Sequence, residues 1–342
     1  MTADETPPRT ERETGPEGDE AADEPALAGA WLVFDETLQR IADSAARGAS
    51  AAPPTVLLTG ESGAGKSRAA RRLHDLSPRA DGPFVPVHLA GLAETLLEAE
   101  LFGHEEGAFT GAVHARDGRF VRASGGTLVL EAIETLALPL QVKLLRVLQE
   151  RVVEPLGAAR SVPVDCAVVA TTAVDLRQEV AAGRFREDLY FRLAVVPLEV
   201  PPLRARTGDE TFGPLCDALV EAVAVRASVP PRDISADARA LLVAHPWPGN
   251  VRELENALER VLVVPREGPI EAEELGFLAE SIRGRSHEIA LEALAAGVSL
   301  EALERALLEA ALAQTRGNAS AAARVLDLSR RAFDYRRKKL SE

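Results

Sequence analysis

The chain is poor in most of the features that would classify it quickly. Its 342 residues include two cysteines, one methionine and only 4% aromatics. Cys166 and Cys216 lie far apart, and no CxxC or CxH cluster surrounds either. That excludes a disulfide-stapled scaffold and a structural zinc site, and leaves two buried thiols in a reducing compartment as the expectation. No apolar stretch reaches membrane-spanning length and no signal-peptide pattern opens the chain, which predicts a soluble, cytoplasmic protein with no membrane partner. The formal net charge of -14, if evenly spread, would argue against a polyanionic partner as well.

The charge is not even. Residues 1–25 hold nine acids against two arginines, together with Pro7, Pro8, Pro16 and Pro25 and almost nothing apolar. Such a segment buries too little surface to offset the entropy of ordering it, so residues 1–28 are expected to form a disordered acidic tail. From Arg316 to Leu340 the sign inverts, with eight bases against Asp327 and Asp334. A basic end of this kind points to nucleic acid.

Between these ends the apolar pattern predicts an α/β fold. Trp31, Phe34, Leu38, Ile41 and Ala45 fall at helical spacing. Short apolar runs at Thr55–Thr59, Phe84–Leu89, Thr127–Leu130 and Cys166–Ala170 have the length and composition of buried strands, and helical stretches lie between them, Leu138–Glu150 the clearest. Strands alternating with helices imply a parallel sheet covered on both faces. From about Asp209 to Ala279 the pattern is helical only; Ser281–Ser286 has a linker composition, and a last helical segment starts near Leu300.

The first strand runs into Gly60-Glu61-Ser62-Gly63-Ala64-Gly65-Lys66-Ser67, which fits G-x-x-x-x-G-K-[ST] in the strand–loop–helix setting that motif requires. Glycines let the backbone curl so that successive N–H groups face phosphate oxygens, reinforced by a helix N-terminus. Lys66 would reach the β- and γ-phosphates of ATP, and the Ser67 hydroxyl would ligate Mg2+.

The segment Glu100-Leu-Phe-Gly-His-Glu-Glu-Gly-Ala-Phe-Thr-Gly-Ala112 contains the hexapeptide GAFTGA intact, as Gly107, Ala108, Phe109, Thr110, Gly111 and Ala112. In this the chain, from about Trp31 onward, resembles the AAA+ domain of bacterial enhancer-binding proteins, the activators of sigma-54 RNA polymerase. The resemblance implies an AAA+ P-loop parallel sheet over residues 29–205 and a helical lid subdomain over 206–280. A linker over 281–299 and an all-α Fis-type helix-turn-helix over 300–342 would follow. It implies that Phe109 and Thr110, exposed at a loop tip freed by glycines, touch the sigma-54 holoenzyme. Gly183-Arg-Phe-Arg-Glu-Asp-Leu-Tyr-Phe-Arg192-Leu matches the family's arginine-finger segment. Arg186 and Arg192 would then reach the γ-phosphate held by a neighbouring subunit, a task suited to a planar, permanently charged donor, and the homo-oligomer would close as a hexameric ring. Trp247-Pro-Gly-Asn-Val-Arg252-Glu-Leu matches the lid segment, so Arg252 would contact ATP within its own subunit. The stretch ahead of the core is shorter than the ~100 residues of a typical sensing domain, so the input signal is expected from elsewhere.

The departures from the family pattern fall in one place. Where the family reads GGTLFLDEI, this chain has Gly125-Gly-Thr-Leu-Val-Leu-Glu131-Ala132-Ile133. The Mg2+-associated aspartate becomes Glu131, and the glutamate that polarises the attacking water becomes Ala132. A slip of Glu131 into that role is disfavoured, because one residue along a strand reverses the face. The asparagine that holds the catalytic glutamate aligns with His88, and the first sensor asparagine aligns with Ala173. Three coordinated losses predict impaired hydrolysis, since a positioned general base contributes about 10²–10⁴-fold. His88 and Glu134 are the titratable side chains that could orient water instead. The plainer expectation for each is a partly buried strand-end histidine and a solvated loop acid. Three functions are therefore in play: a regulator that binds ATP and hydrolyses it poorly, a fully active ATPase activator with a substituted base, and a non-hydrolysing subunit that completes an active paralogue's sites in a mixed ring.

At the C-terminus, residues 312–340 have a helix, tight turn, helix pattern similar to the Fis-type reader, with Asn318 and Ser329 as N-caps and Ala322, Val325, Leu326 and Leu328 as buried contacts. Asp327 replaces the turn glycine. Arg330, Arg331, Asp334 and Tyr335 would face base edges in the major groove of an enhancer site in double-stranded DNA, with Ser329 at the helix start. Arg336, Arg337, Lys338 and Lys339 would meet phosphates. Leu300–Leu312 is amphipathic and is expected to pair two subunits.

Overall fold

A computed structural model describes residues 53–207, 211–278, 291–315, 317–326 and 328–339. The acidic tail, the helix expected near residues 31–45, the linker at 281–286 and Asp327 lie outside them. Contacts divide the chain into two compact units, one running to Ala272 and the other from Glu273.

The first unit is built on a five-stranded sheet. Its strands are β1 (Val56–Thr59), β2 (Phe84–His88), β3 (Thr127–Glu131), β4 (Ala167–Thr172) and β5 (Val196–Glu199), in the order β2-β3-β4-β1-β5. Every pairing is parallel. Side chains alternate strictly between two cores, as a period of two demands. Leu57, Leu128, Leu130, Val168 and Ala170 enter the larger one, against helices α2 (Glu94–Phe102), α3 (Leu138–Glu150) and α4 (Glu187–Leu193). Val56, Leu58, Val129 and Val169 enter the smaller, against Ala69, Ala70 and Leu73 of α1 (Lys66–Asp75). Helices on both faces explain why these strands are apolar without alternation.

Four of the five strands coincide with the expected runs. The strand missed in the sequence is β5, whose Val-Pro-Leu-Glu carries proline at its second position. Proline lacks a ladder donor and is tolerated on outer strands. Pro197 in β5 and Pro86 in β2 both lie on the outermost strands, so the same physics hid one strand and permitted two.

Helices α5 (Phe212–Ala227), α6 (Ala236–Ala244) and α7 (Asn250–Leu262) follow the sheet, as the helical pattern predicts. α7 buries Val251, Leu254, Leu258 and Val261 at helical spacing and packs on α5. Cys166 and Cys216 are both buried free thiols. Burial pushes them up to about 11 and about 12, so neither is a nucleophile near neutral pH.

The second unit contains α8 (Leu300–Gln314), α9 (Ala319–Val325) and α10 (Arg330–Lys339). Asn318 accepts from the backbone N–H groups of Ser320 and Ala321, both at 3.1 Å, and Ser329 accepts from that of Ala332 at 3.2 Å, so both expected caps form. Leu308, Ala311, Ala319, Ala322 and Ala323 close around Phe333, with Leu312, Leu326 and Leu328 at the margin. Val325, expected among the buried contacts, is exposed instead, at the end of α9.

Candidate functional site

Parallel strands bring Thr59, His88, Glu131 and Thr172 to one edge of the sheet, where α/β folds bind ligands. The Gly60–Ser67 loop leaves β1 at this edge. Gly60, Gly63 and Gly65 all have positive φ (148°, 74° and 100°), a region that residues with a Cβ avoid. A Cβ on Gly63 would lie 2.3 Å from the Gly249 carbonyl oxygen, so this glycine also admits the lid backbone.

Lys66 Nζ donates to the carbonyl oxygens of Gly60 (2.7 Å) and Glu61 (2.9 Å), which holds the ammonium inside the loop. Burial lowers its pKa below the ordinary lysine value, opposed most by Glu134 among the nearby acids. The Ser67 hydroxyl donates to Glu131 Oε1 in a short contact. These two oxygens are hard donors on one spot beside the phosphate loop and fit a Mg2+ ion. The glycine cradle, the central ammonium and this oxygen pair together fit a nucleoside triphosphate with its metal.

The degenerate positions gather here. His88 and Glu131 pair across β2 and β3, and His88 Nδ1 lies 3.6 Å from Glu131 Oε2. His88 ends its strand as expected, but its side chain is mainly exposed where partial burial was expected, because β2 is an outermost strand. Ala132 follows at φ 57°, a left-handed conformation that alanine adopts only at about 1–2 kcal/mol. The turn Ile133–Thr135 is then pinned by Ile133, fully buried, and by Thr135 Oγ1 donating to the Ala132 carbonyl oxygen at 2.8 Å. Glu134, expected to be a solvated loop acid, is half-buried. Its Oε1 accepts from the Ala173 backbone N–H at 3.3 Å, and its Oε2 is buried and finds no partner among the described residues.

The loop is also clamped from the lid side, by Arg252 and by three residues to which the sequence motifs assign no role. Arg204 donates to both Glu61 carboxylate oxygens (2.8 and 2.5 Å). Asn250, fully buried at φ 57°, donates to Glu61 Oε2 (3.1 Å) and to the Ser62 carbonyl oxygen (3.0 Å), and accepts from the Leu203 N–H (2.8 Å). Arg206 donates to the Ala64 carbonyl oxygen (3.1 Å), and Arg252 Nη1 to Ser62 Oγ (3.2 Å). An asparagine two residues before Arg252 in the lid motif is the sequence signal for Asn250; Arg204 carries none.

The Arg204 guanidinium, followed by Asn250, holds the Glu61 carboxyl down to about 2 from 4.5. A carboxylate with a depressed folded pKa contributes stability above its unfolded value and loses it as pH falls toward the folded one. We therefore expect Glu61→Gln to lower stability at pH 7 by about 1 kcal/mol, since the pair is substantially exposed and screened. That difference should shrink between pH 4.5 and about 2, measured by denaturant unfolding across the series.

Arg186 and Arg192 stand at the two ends of α4. Arg186 pairs with Asp188 (3.0 and 2.6 Å) and Arg192 donates to the Leu148 carbonyl oxygen (3.2 and 2.7 Å), so their hydrogen bonds do not run to their own P-loop. The buried Gln141 accepts from the Arg186 N–H at 2.8 Å and fixes the start of the helix.

The Gly107–Ala112 loop is closed on itself. The Gly107 N–H donates to the Ala112 carbonyl oxygen at 2.8 Å, and Gly107 and Gly111 have φ 77° and 107°. Thr110 is exposed, but Phe109 is half-buried, its ring 5.0 Å from that of His104. The aromatic expected at the tip is thus tucked against the base of its own loop.

On α10, Arg330 is engaged by Asp334 (2.7 Å) and Ser320 (3.0 Å), and Arg336 by Glu304 (2.8 Å). Arg331, Tyr335, Arg337 and Lys338 are exposed.

A P-loop at the strand edge of a β2-β3-β4-β1-β5 sheet, followed by a helical lid that touches the loop, defines an AAA+ nucleotide-binding module. Residues 32–199 match the sigma-54 interaction domain, 204–290 the AAA+ ATPase lid domain, and 299–340 the bacterial regulatory protein domain of the Fis family. The chain is 46% identical over 278 residues to the C4-dicarboxylate transport transcriptional regulatory protein DctD of Pseudomonas aeruginosa, covering 81% of this chain and 57% of that one. It is 48% identical over 238 residues to the sigma54-dependent transcriptional activator SfnR of Pseudomonas putida, covering 70% and 62%. A crystal structure of NtrX from Brucella abortus in complex with ADP superposes with a TM-score of 0.66 at 33% identity, covering 92% of this chain and 68% of that one. The chain belongs to the family of sigma-54-dependent transcriptional regulators, and it spans about three-fifths of the length of the curated relatives DctD and SfnR. Among the described residues no helix is long and apolar enough to cross a membrane.

Proposed function

We propose that this chain is a DNA-bound regulator of sigma-54 transcription that binds ATP with Mg2+ and turns it over slowly. The observation that carries the reading is the contact of Ser67 with Glu131 beside Lys66, next to an alanine at position 132. Binding groups are complete there, and the general base of the family is missing. Glycine-loop N–H groups and Lys66 would bind the phosphates, and Ser67 and Glu131 would hold Mg2+. The metal would neutralise charge that develops on the phosphate oxygens. Arg252 would read the same nucleotide from the lid. Arg186 and Arg192, exchanging their in-chain partners, would reach the nucleotide of the next subunit in a ring, of this chain or mixed with an active paralogue.

Nucleotide binding, phosphate release and oligomeric state, measured on one preparation with and without ATP, test this. Tight binding with slow release is expected. Release at rates ordinary for the family, and abolished by Arg186→Ala, would make the chain a fully active ATPase activator instead.

In the same reading the GAFTGA loop contacts the sigma-54 holoenzyme, with Phe109 swinging away from His104. The helix α10 lies in the major groove of an enhancer site, and α8 pairs two subunits. Arg331→Ala is expected to weaken specific DNA binding by about 1–3 kcal/mol and relax base preference at one position. Lys338→Ala should weaken specific and non-specific binding alike and reduce the salt slope by about one, as titrations at several salt concentrations would show.

A further inference from the structure

We infer that Glu134 supplies the water-orienting carboxylate that position 132 lacks, and carries the residual ATP turnover of this chain. The inference rests on the nucleotide-binding reading above. A carboxylate oxygen that is buried and unpartnered is expensive, and native structures rarely retain one without a use. Glu134 Oε2 is such an atom. Its fellow oxygen is fixed on the Ala173 N–H at 3.3 Å, at the residue that follows β4 and aligns with the family's first sensor. The side chain therefore bridges the ends of β3 and β4, at the sheet edge where the P-loop lies, and leaves one oxygen without a donor among the described residues.

Two further observations support it. Of the charges acting on Lys66, that of Glu134 is the strongest, ahead of Glu131 and Glu61. The turn that carries it is stiff: Ile133 is fully buried, and the Thr135 N–H and hydroxyl both bond to the Ala132 carbonyl oxygen (3.0 and 2.8 Å). A side chain on a pinned turn holds its oxygen in place, which is what water positioning requires. The competing candidate, His88, is mainly exposed and faces Glu131 Oε2 at 3.6 Å, so it bears on the metal side of the site.

The chemistry balances with groups already named. Water donates a hydrogen bond to Glu134 Oε2, and its oxygen forms a bond to the γ-phosphorus. The bond from that phosphorus to the β–γ bridging oxygen breaks, and its electron pair leaves on ADP. The water proton passes to Glu134 and then to the released phosphate.

Glu134→Gln keeps an oxygen for the Ala173 N–H and so keeps the local fold. Turnover per subunit, taken where it no longer rises with protein concentration, is expected to fall by about tenfold or more. Affinity for ADP should stay within about twofold, while affinity for ADP with aluminium fluoride, a mimic of the transition state, falls by about tenfold. Adding Ala132→Glu to this variant should bring turnover to that of Ala132→Glu alone, whereas the loss from a merely structural role for Glu134 would carry over into the double variant. Turnover of Glu134→Gln equal to that of the unchanged chain, with ADP still bound, overturns the inference and leaves the nucleotide reading intact. Turnover of the unchanged chain no greater than that of Lys66→Ala overturns it equally. Failure of the unchanged chain to bind ADP overturns the reading on which both rest.

Discussion

Replacing Ala132 by glutamate is expected to raise ATP turnover about a hundredfold, the largest gain any single substitution in this chain should give. A positioned carboxylate base contributes about 10²–10⁴-fold, and Glu134 in its three-residue turn recovers only part of that. The backbone is already prepared for the change. Ala132 holds φ 57°, so a glutamate there inherits the left-handed strain that alanine bears and adds little. The neighbouring groups are also in place: Glu131 touches Ser67, and Lys66 is seated on the Gly60 and Glu61 carbonyl oxygens. Ala132→Gly is the matching control. It should leave turnover low and raise stability by up to about 1 kcal/mol, because glycine adopts positive φ freely. Phosphate release and denaturant unfolding on the three proteins check both statements. A native rate already high and unmoved by Ala132→Glu would mean that hydrolysis is not impaired.

The sheet and the phosphate loop were legible in the sequence for a physical reason. Both are local: a buried parallel strand is a short apolar run, and the loop is defined by glycines whose φ values no other residue adopts readily. What escaped was made by contacts between distant segments. Val196–Glu199 looks like no strand because Pro197 interrupts it, and only its outer position in the sheet makes that tolerable. Glu134 has the sequence surroundings of a loop acid. Its Oε1 accepts from the Ala173 N–H, 39 residues away, a contact that no periodicity encodes. Arg204 meets Glu61 across 143 residues and Asn250 meets it across 189, so the clamp on the P-loop exists only once sheet and lid are both folded. Phe109 was expected at an exposed tip from its glycine neighbours, and the structure adds His104 as the surface that shelters it.

That dependence of the site on the lid leads to the second large effect, on Trp247. The indole is fully buried, its Nε1 donates to the Leu242 carbonyl oxygen at 2.8 Å, and its ring lies 4.4 Å from that of His245. Removing so large a side chain from a packed core costs about 3–5 kcal/mol, so Trp247→Ala should be among the most destabilising single changes in the first unit. Trp247→Phe keeps most of the bulk but leaves the Leu242 carbonyl oxygen without its donor, for about 1–3 kcal/mol. The consequence reaches the nucleotide. Trp247 and Asn250 both hold positive φ, at 48° and 57°, and the Asn250 N–H donates to the Trp247 carbonyl oxygen at 2.9 Å. The tryptophan therefore sets the turn from which Asn250 grips Glu61 and Arg252 grips Ser62. Nucleotide affinity of Trp247→Ala should fall by about tenfold even where the protein remains folded, the loss of roughly one charge-assisted contact. Acid acts on the same turn. Burial lowers the His245 pKa from 6.5, and its Nδ1 accepts from the Trp247 N–H at 3.1 Å, which a protonated ring cannot do. The unfolded chain then binds that proton more readily than the folded one. The contribution is complete above pH 6.5 and declines as pH falls below it. Circular dichroism across denaturant and pH, with nucleotide titration on the folded fraction, follows both losses. Unchanged affinity in folded Trp247→Ala protein would mean that the P-loop holds its shape without the lid turn.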